Sequence, residues 1–462
     1  AASDVYKRQM RHLKLTYNLL VALIAIAGFS GCSQDEFVER QEMQPQIEAQ
    51  LMLSISMPQI GTRAVDGEKT LSGTTEESKC RKLTLFIMDT NGTNIQDKTI
   101  TGEDLENEFL YFVVNTSIGN KKIFVAANMT DTQIESIKAA PDHNPEQLIN
   151  NIGDITEDNS FLMTGQAVTE GSNSEIINIE EHKMTRIKAT LTRVMSKVLL
   201  TCTTKSDTEY VNLTKDNGYI RLSDVHYILE TTNKKFFPFK KANNEDPNFP
   251  MSTTLAANYD ANFFTATNVT AGENAVKYDI QRIEEDDKRY TEGIYCLENT
   301  INIDTESSND FSDAQKVATY LKVAAKFTPK NIDGETNLTE QEAKNRLSGN
   351  GTFYTCKKVP TSMKDMCYSN ISTGIDYLRE SGLTVTVNDF ITYEGGWQYY
   401  ETFVNSPTDF SVASGIIRNN YYIINVTAFN TLQSDKTIEV NTTMIPWVLK
   451  GRTTIDVETG NN

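Results

Sequence analysis

Ile47-Glu48-Ala49-Gln50-Leu51-Met52-Leu53-Ser54-Ile55-Ser56-Met57 alternates with a period of two. Ile47, Ala49, Leu51, Leu53, Ile55 and Met57 fall on one side; Glu48, Gln50, Ser54 and Ser56 fall on the other, where only Met52 breaks the pattern. Such alternation predicts a strand with one covered face. That strand is stable only when its apolar face is buried and its edges are paired. Burying six apolar side chains at roughly 1.5–3 kcal/mol each gives on the order of 9–18 kcal/mol, an upper bound because denatured chains already bury some surface. Pro58 ends the run, and Gly61-Thr62-Arg63-Ala64 follows as a protease-ready tether. The stretch therefore predicts a detachable strand whose leash can be cut after Arg63.

Upstream, Met10 to Gly31 reads as a secretory signal peptide. Arg11, His12 and Lys14 form its basic end, and Leu19 to Phe29 its apolar core, too short to span a bilayer as a helix. Gly31-Cys32 places a small residue before a cysteine, as in lipoprotein signals. Residues 1–9 precede the basic region and read as non-native or upstream sequence with Met10 as the start, or else as a long basic region.

The chain has 462 residues, enough for two or three domains, and a net charge of -18. Residues 1–63 hold as many basic as acidic side chains, so the whole imbalance lies from Ala64 onward. This acidic balance argues against nucleic-acid binding and favours solubility outside the cell. Of the six cysteines, Cys32 is the lipidation candidate; Cys80, Cys202, Cys296, Cys356 and Cys367 remain, with no C-x-x-C pair. Cys356 and Cys367 are close enough in sequence for a disulfide, and buried thiols are the alternative.

From Lys82 onward, short strand-like runs are broken by Asn, Asp, Gly and Thr. Leu83–Met88 is one; Phe109–Val114 and Lys122–Ala127 read as a hairpin about Gly119-Asn120. Further strands are predicted at Ile176–Ile179, Ile187–Thr192, Lys197–Thr201, Tyr219–Leu222, His226–Glu230, Tyr320–Phe327, Leu383–Val387 and Tyr421–Phe429. Helical signals are few: Asp131 before Gln133–Ala139, Asn144-Pro145 before Glu146–Ile149, and Thr339 before Glu340–Leu347. The profile predicts a mainly β fold of sandwich type with a few short helices. A domain boundary is expected in the charged stretch from Glu180 to Lys188.

Catalytic signatures are missing: no G-x-S-x-G, H-E-x-x-H or G-x-x-x-x-G-K-[ST] occurs, and His143, His182 and His226 lack a partner at ligand spacing. No enzyme activity, cofactor or metal is expected. Glu284-Glu285-Asp286-Asp287 lacks the spacing of a calcium loop. Gly395-Gly396-Trp397-Gln398-Tyr399-Tyr400 reads either as a sugar-stacking platform, which would make a surface glycan-binding lipoprotein, or as a turn followed by a strand with buried aromatics.

The far end carries a second strand candidate. Ile438, Val440, Thr442 and Met444 alternate with Glu439, Asn441, Thr443 and Ile445; Trp447, Leu449, Thr453, Ile455 and Val457 then share one parity across Gly451. Pro446 suits an edge better than a central strand. This tail reads as a spare amphipathic strand able to occupy a slot vacated elsewhere.

Lys183-Met184-Thr185-Arg186, Arg193-Val194-Met195-Ser196-Lys197-Val198, Gly293-Ile294-Tyr295-Cys296-Leu297-Glu298-Asn299, Tyr320-Leu321-Lys322-Val323, Ile417-Arg418-Asn419-Asn420-Tyr421-Tyr422 and Ile445-Pro446-Trp447-Val448-Leu449 occur in that order. Together they resemble type V pilus fimbrillins of Bacteroides-type bacteria, near the short-fimbria major-subunit branch. The resemblance implies a signal peptide over 1–31, lipidation at Cys32, a propeptide over 32–63 and an acidic surface-export signal at Ser33-Gln34-Asp35-Glu36. Phe29 departs from the aliphatic residue usual three before the cysteine. It further implies cleavage between Arg63 and Ala64 by an Arg-specific protease, then two tandem transthyretin-like β-sandwich domains over 64–187 and 188–462. The lipidated precursor would sit in the outer membrane and the cut subunit in an extracellular fimbrium supporting adhesion. Polymerisation with itself and other fimbrial subunits would use residues 437–462, including Ile438, Val440, Met444, Trp447, Leu449, Ile455 and Val457, as a donor strand. A tip or accessory adhesin is the alternative within the family.

Overall fold

The computed structural model describes residues 49–56, 71–72, 77, 79–91, 95–101, 110–139, 161–205, 208–233, 236–241, 244–247, 263–264, 293–300, 315, 318–347, 349–404, 415–432 and 438–448. The first half of the described chain runs β1 (Ala49–Ser56), β2 (Leu71–Ser72), β3 (Lys82–Asp89), β4 (Ile95–Thr101), β5 (Leu110–Thr116), β6 (Gly119–Ala127), α1 (Asp131–Lys138), β7 (Met163–Thr169), β8 (Ile177–Ile179), β9 (Met184–Thr190) and β10 (Thr192–Arg193). The second half runs β11 (Met195–Cys202), β12 (Gly218–Glu230), β13 (Thr232–Asn233), β14 (Phe263–Phe264), β15 (Ile294–Leu297), β16 (Tyr320–Pro329), α2 (Glu340–Arg346), β17 (Phe353–Cys356), α3 (Ile371–Glu380), β18 (Phe390–Tyr393), β19 (Trp397–Phe403), β20 (Asn420–Phe429) and β21 (Ile438–Val448). The fold is mainly β and sandwich-like, as the broken strand pattern predicts.

The first sheet has the order β4-β3-β6-β7-β9-β1-β5, with β8 on β6 and β10 on β7. β7 joins two layers: Met163–Gln166 pairs with β6, while Ala167–Thr169 pairs with β9. A Cβ on Gly165, at the changeover, would stand 2.1 Å from the Thr190 carbonyl oxygen, so only glycine lets the backbones approach. Between the layers lies a core to which β3 gives Leu83, Leu85 and Ile87, β6 gives Ile123 and Val125, and β1 gives Ala49, Leu51 and Leu53.

A five-stranded sheet, β15-β11-β20-β21-β2, faces a three-stranded sheet, β12-β16-β19. Their shared core includes Val198, Leu200, Tyr227, Val323, Tyr422 and Ile424. A third core joins the two sandwiches: Phe86 and Phe124, on the other face of β3 and β6, meet Phe239, Leu199 and Ile423. Phe239 lies 4.9 Å from Phe124 and 6.2 Å from Phe86 between ring centroids. The strands therefore change sheet between Arg193 and Met195, and β9 runs through the boundary expected at 187/188.

The expected hairpin does not form. β5 pairs with β1, whereas β6 pairs with β3, β7 and β8. Val114 on β5 and Ile123 on β6 cover one core from opposite layers, which a hairpin would forbid; Gly119, at φ +110°, makes the turn between layers. The two runs at Tyr219–Leu222 and His226–Glu230 are one strand, β12, with a pairing irregularity between Ile220 and Val225. Residues 383–386 are not a strand but a loop leading to a single turn at Val387–Asp389.

Thr130 rather than Asp131 caps α1, exchanging bonds with Gln133, and Thr339 caps α2 with Glu342 in the same way. α3 lies where the sequence analysis places no helix. Asn370 caps it by accepting from the Thr373 amide at 2.8 Å, and Ile371, Ile375 and Leu378 give it an apolar face. Asn144-Pro145 lies outside the described residues.

Candidate functional site

β1 occupies a slot between β5, antiparallel, and β9, parallel. Leu51 stands opposite Val114 and Thr185, and Leu53 opposite Phe112 and Ile187. Ala49, Leu51 and Leu53 are buried and Ile55 is half-buried, while Gln50 on the other face is exposed. The Ser54 hydroxyl donates to the Ile187 carbonyl at 3.3 Å. Two leucines buried in full contribute roughly 1.5–3 kcal/mol each. Among the described residues, β5 pairs with no strand except β1. Without β1, β5 would keep no strand pairing, β9 would expose a long edge, and the core would open between them. Ile47, Met57, Cys32, Arg63 and Ala64 lie outside the described residues.

The C-terminal segment expected to be spare is paired within its own chain. β21 runs antiparallel to β20, with Val440 opposite Val426, Met444 opposite Tyr422 and Pro446 opposite Asn420. Its far side meets β2 in parallel, Trp447 opposite Leu71 and Val448 opposite Ser72. Ile438 and Val440 pack on the core between the second pair of sheets. Leu449, Ile455 and Val457 lie outside the described residues. The strand Leu71–Ser72, just beyond the tether, thus touches the strand that ends the described chain.

Charge is buried where the sandwiches join, and sequence reasoning missed it. Glu77 and Lys197 form an ion pair at 2.8 Å with side chains 2% and 0% exposed. Tyr295 and Tyr421 donate their hydroxyls to the same carboxylate, the latter at 3.4 Å. Arg193 donates to the Glu77 carbonyl from Nε at 3.1 Å and Nη2 at 3.0 Å. Burial pulls the Arg193 guanidinium down to about 10, against the pull of Tyr421 and Glu77. Nearby, Arg418 and Glu298 pair at 2.6 Å, and Arg418 also donates to the carbonyls of Phe237 and Pro238. Burial pushes the Glu298 carboxyl up, with Arg418 opposing. The available signal was a lysine inside the otherwise continuous buried run Met195–Cys202, since a cation in such a strand needs a buried partner.

The Gly-aromatic cluster forms a turn and then β19. Tyr400 points into the core, whereas Tyr399 on the opposite face is 45% exposed and Trp397 packs 5.3 Å from the His226 ring. His182 sits beside Glu181 at 3.1 Å on the surface; His143 and the acidic run at 284–287 lie outside the described residues. Among the described residues, no group of three His, Cys, Asp or Glu side chains is placed to hold a metal ion. Cys356 and Cys367 are buried free thiols. Tyr354 pairs with Tyr368, which sets Cys356 and Cys367 at opposite parity, one in the α3 cluster and the other in the main core. No helix among the described residues is long and apolar enough to cross a membrane.

No protein-family model matches the chain, and no curated protein does. Solved structures similar to it include cell-adhesion and fimbrial proteins and, over 41% of this chain, a candidate polysaccharide-binding protein from Bacteroides thetaiotaomicron. A candidate cell adhesion protein from Parabacteroides distasonis is 11% identical, with a TM-score of 0.47, over 87% of this chain and 100% of that one. The tip fimbrial protein Mfa3 from Porphyromonas gingivalis, truncated at its C-terminus, is 12% identical with a TM-score of 0.39 over 87% and 100%. The fimbrial anchor protein Mfa2 from the same organism is 9% identical with a TM-score of 0.33 over 87% and 99%.

Proposed function

We propose that this chain is a structural subunit of a surface fimbrium that polymerises by exchanging β1 for a strand of a neighbouring subunit. The observation that carries the reading is β1 itself. It is a strand at the start of the described chain, paired on both sides and completing a core, yet followed within a few residues by a tether containing Arg63. A sheet slot of this kind recognises a replacement through backbone hydrogen bonds along both edges and through pockets for alternate side chains. Cutting the tether need not expel β1; it removes the covalent link, after which a competing strand can take over.

In this reading Cys32 carries the lipid anchor of an outer-membrane precursor, and an Arg-specific protease cuts between Arg63 and Ala64. The mature chain then comprises two tandem transthyretin-like sandwich domains, with the changeover near Val194. The donor is the segment from Ile438 onward. Because β21 is paired on β20, donation uses residues beyond it or requires β21 to leave.

Arg63→Ala tests the reading. The variant should fold, remain uncut when exposed to an arginine-specific protease, and form no fibres by electron microscopy. Fibres of normal length from the uncut variant would overturn it.

A further inference from the structure

Glu77 is the first residue after β2 whose placement is described, and it lies in the dry junction between the sandwiches. Four separate elements hold it: Arg193 of β10, Lys197 of β11, Tyr295 of β15 and Tyr421 of β20. The Lys197 ammonium lies 4.9 Å from the Tyr295 ring centroid and 5.9 Å from that of Tyr421. Withdrawing Glu77 would take away the carboxylate paired with the fully buried Lys197 ammonium, and removing one partner of a buried ion pair is strongly destabilising. Upstream of Glu77, β2 pairs with Trp447 and Val448 at the end of β21.

We infer that Glu77 is an anchor for the segment exposed by processing: after a cut at Arg63, Glu77 stays in the junction, β2 keeps its place beside β21 on the C-terminal sheet, and β1 is free to leave. This rests on the processing reading above and adds what happens to the new N-terminus. The cut then divides the leading segment into a part that is exchanged and a part that remains as a cover on the edge of β21.

The test uses the full-length chain with residues 60–63 replaced by the recognition sequence of a site-specific protease, cut in vitro and followed by hydrogen–deuterium exchange. The amides of Leu71, Ser72 and Glu77 and those of Trp447 and Val448 should keep their protection after the cut; exchange there at the rate of an unfolded chain would overturn the inference. Glu77→Gln should raise exchange at both places by about a hundredfold to a thousandfold, the factor set by losing one partner of a buried pair. Because that variant can loosen the whole junction, Glu77→Gln with Lys197→Met is its companion. It removes both charges, and it should leave β12 and β16 protected while residues 71–80 still exchange faster than in the parent. Parental protection of that segment in the folded double variant would also overturn the anchor. The engineered cut makes these readouts independent of whether Arg63 is the natural site or whether fibres form.

Discussion

Leu53 of β1 stands directly opposite Ile187 of β9 in a parallel pair, and both side chains are fully buried. The strand nearest the start of the described chain is thus packed as deeply as the strands that follow it, and what sets it apart is its leash.

Truncating Leu53 should therefore be costly before processing and indifferent after exchange. Leu53→Ala is expected to lower the stability of the uncut chain by about 2–5 kcal/mol, the range for a buried leucine that leaves a cavity. Chemical denaturation of the uncut chain measures this. Assembled fibres in which a donor has replaced β1 should melt as the parent does; an equal loss in the fibre would show that β1 never leaves.

A chain ended after Ile445 loses Pro446 to Asn462, including the residues that pair with β2. Such a subunit should accept a donor strand but not supply one. Mixed at a few per cent into the parent, it should shorten fibres in proportion to its share, as counted by electron microscopy. Unchanged lengths would assign the donor to another segment.

Glu340 gives the acid limb of stability a definite contributor. Burial alone would raise its carboxyl, but hydrogen bonds from Arg221, Lys344 and Tyr210 outweigh this and hold it down at about 2, below the ordinary 4.5. A carboxyl depressed in the folded state stabilises fully above its unfolded value and loses that contribution as pH falls through its folded value. The contribution should therefore be complete at pH 6 and fade between about pH 4.5 and 2. Glu340→Gln should lower the urea midpoint at pH 6 and converge with the parent near pH 2. A constant difference across that window would assign the effect to packing.

Thiol chemistry should be silent in the native fold. Burial pushes the Cys296 thiol up to about 12 and raises Cys356 and Cys367 as well, so little reactive thiolate exists at neutral pH. In a chain carrying Cys32→Ser, maleimide labelling mapped by mass spectrometry should miss all three until denaturant is added. Prompt native labelling of Cys367 would contradict its place in the core.

What the sequence disclosed was local periodicity. Ala49, Leu51 and Leu53 announce their burial by alternation, and Thr339 with Glu342 announces a helix start by spacing. What it hid was decided by distant partners. β5 and β6 look like a hairpin because the turn between them is short, yet Val114 and Ile123 must cover opposite sides of one core. Lys197 and Arg193 look misplaced until Glu77 arrives from far upstream. α3 was legible in principle, through Asn370 and the i, i+4, i+7 spacing of Ile371, Ile375 and Leu378, but its first turn follows a loop without the Ser/Thr-x-x-Glu signature that marked α2. The C-terminal alternation revealed a strand without revealing that β20 and β2 already hold it.

The slot beneath β1 has one antiparallel wall, β5, and one parallel wall, β9. Their hydrogen-bonding groups are spaced differently, so the cleft has a head and a tail, and a substitute entering backwards would mismatch both walls. If each newcomer must be threaded in the same sense as the strand it evicts, every link in the chain faces one way. The growing filament would then acquire a direction, with one end that only receives and another that only gives.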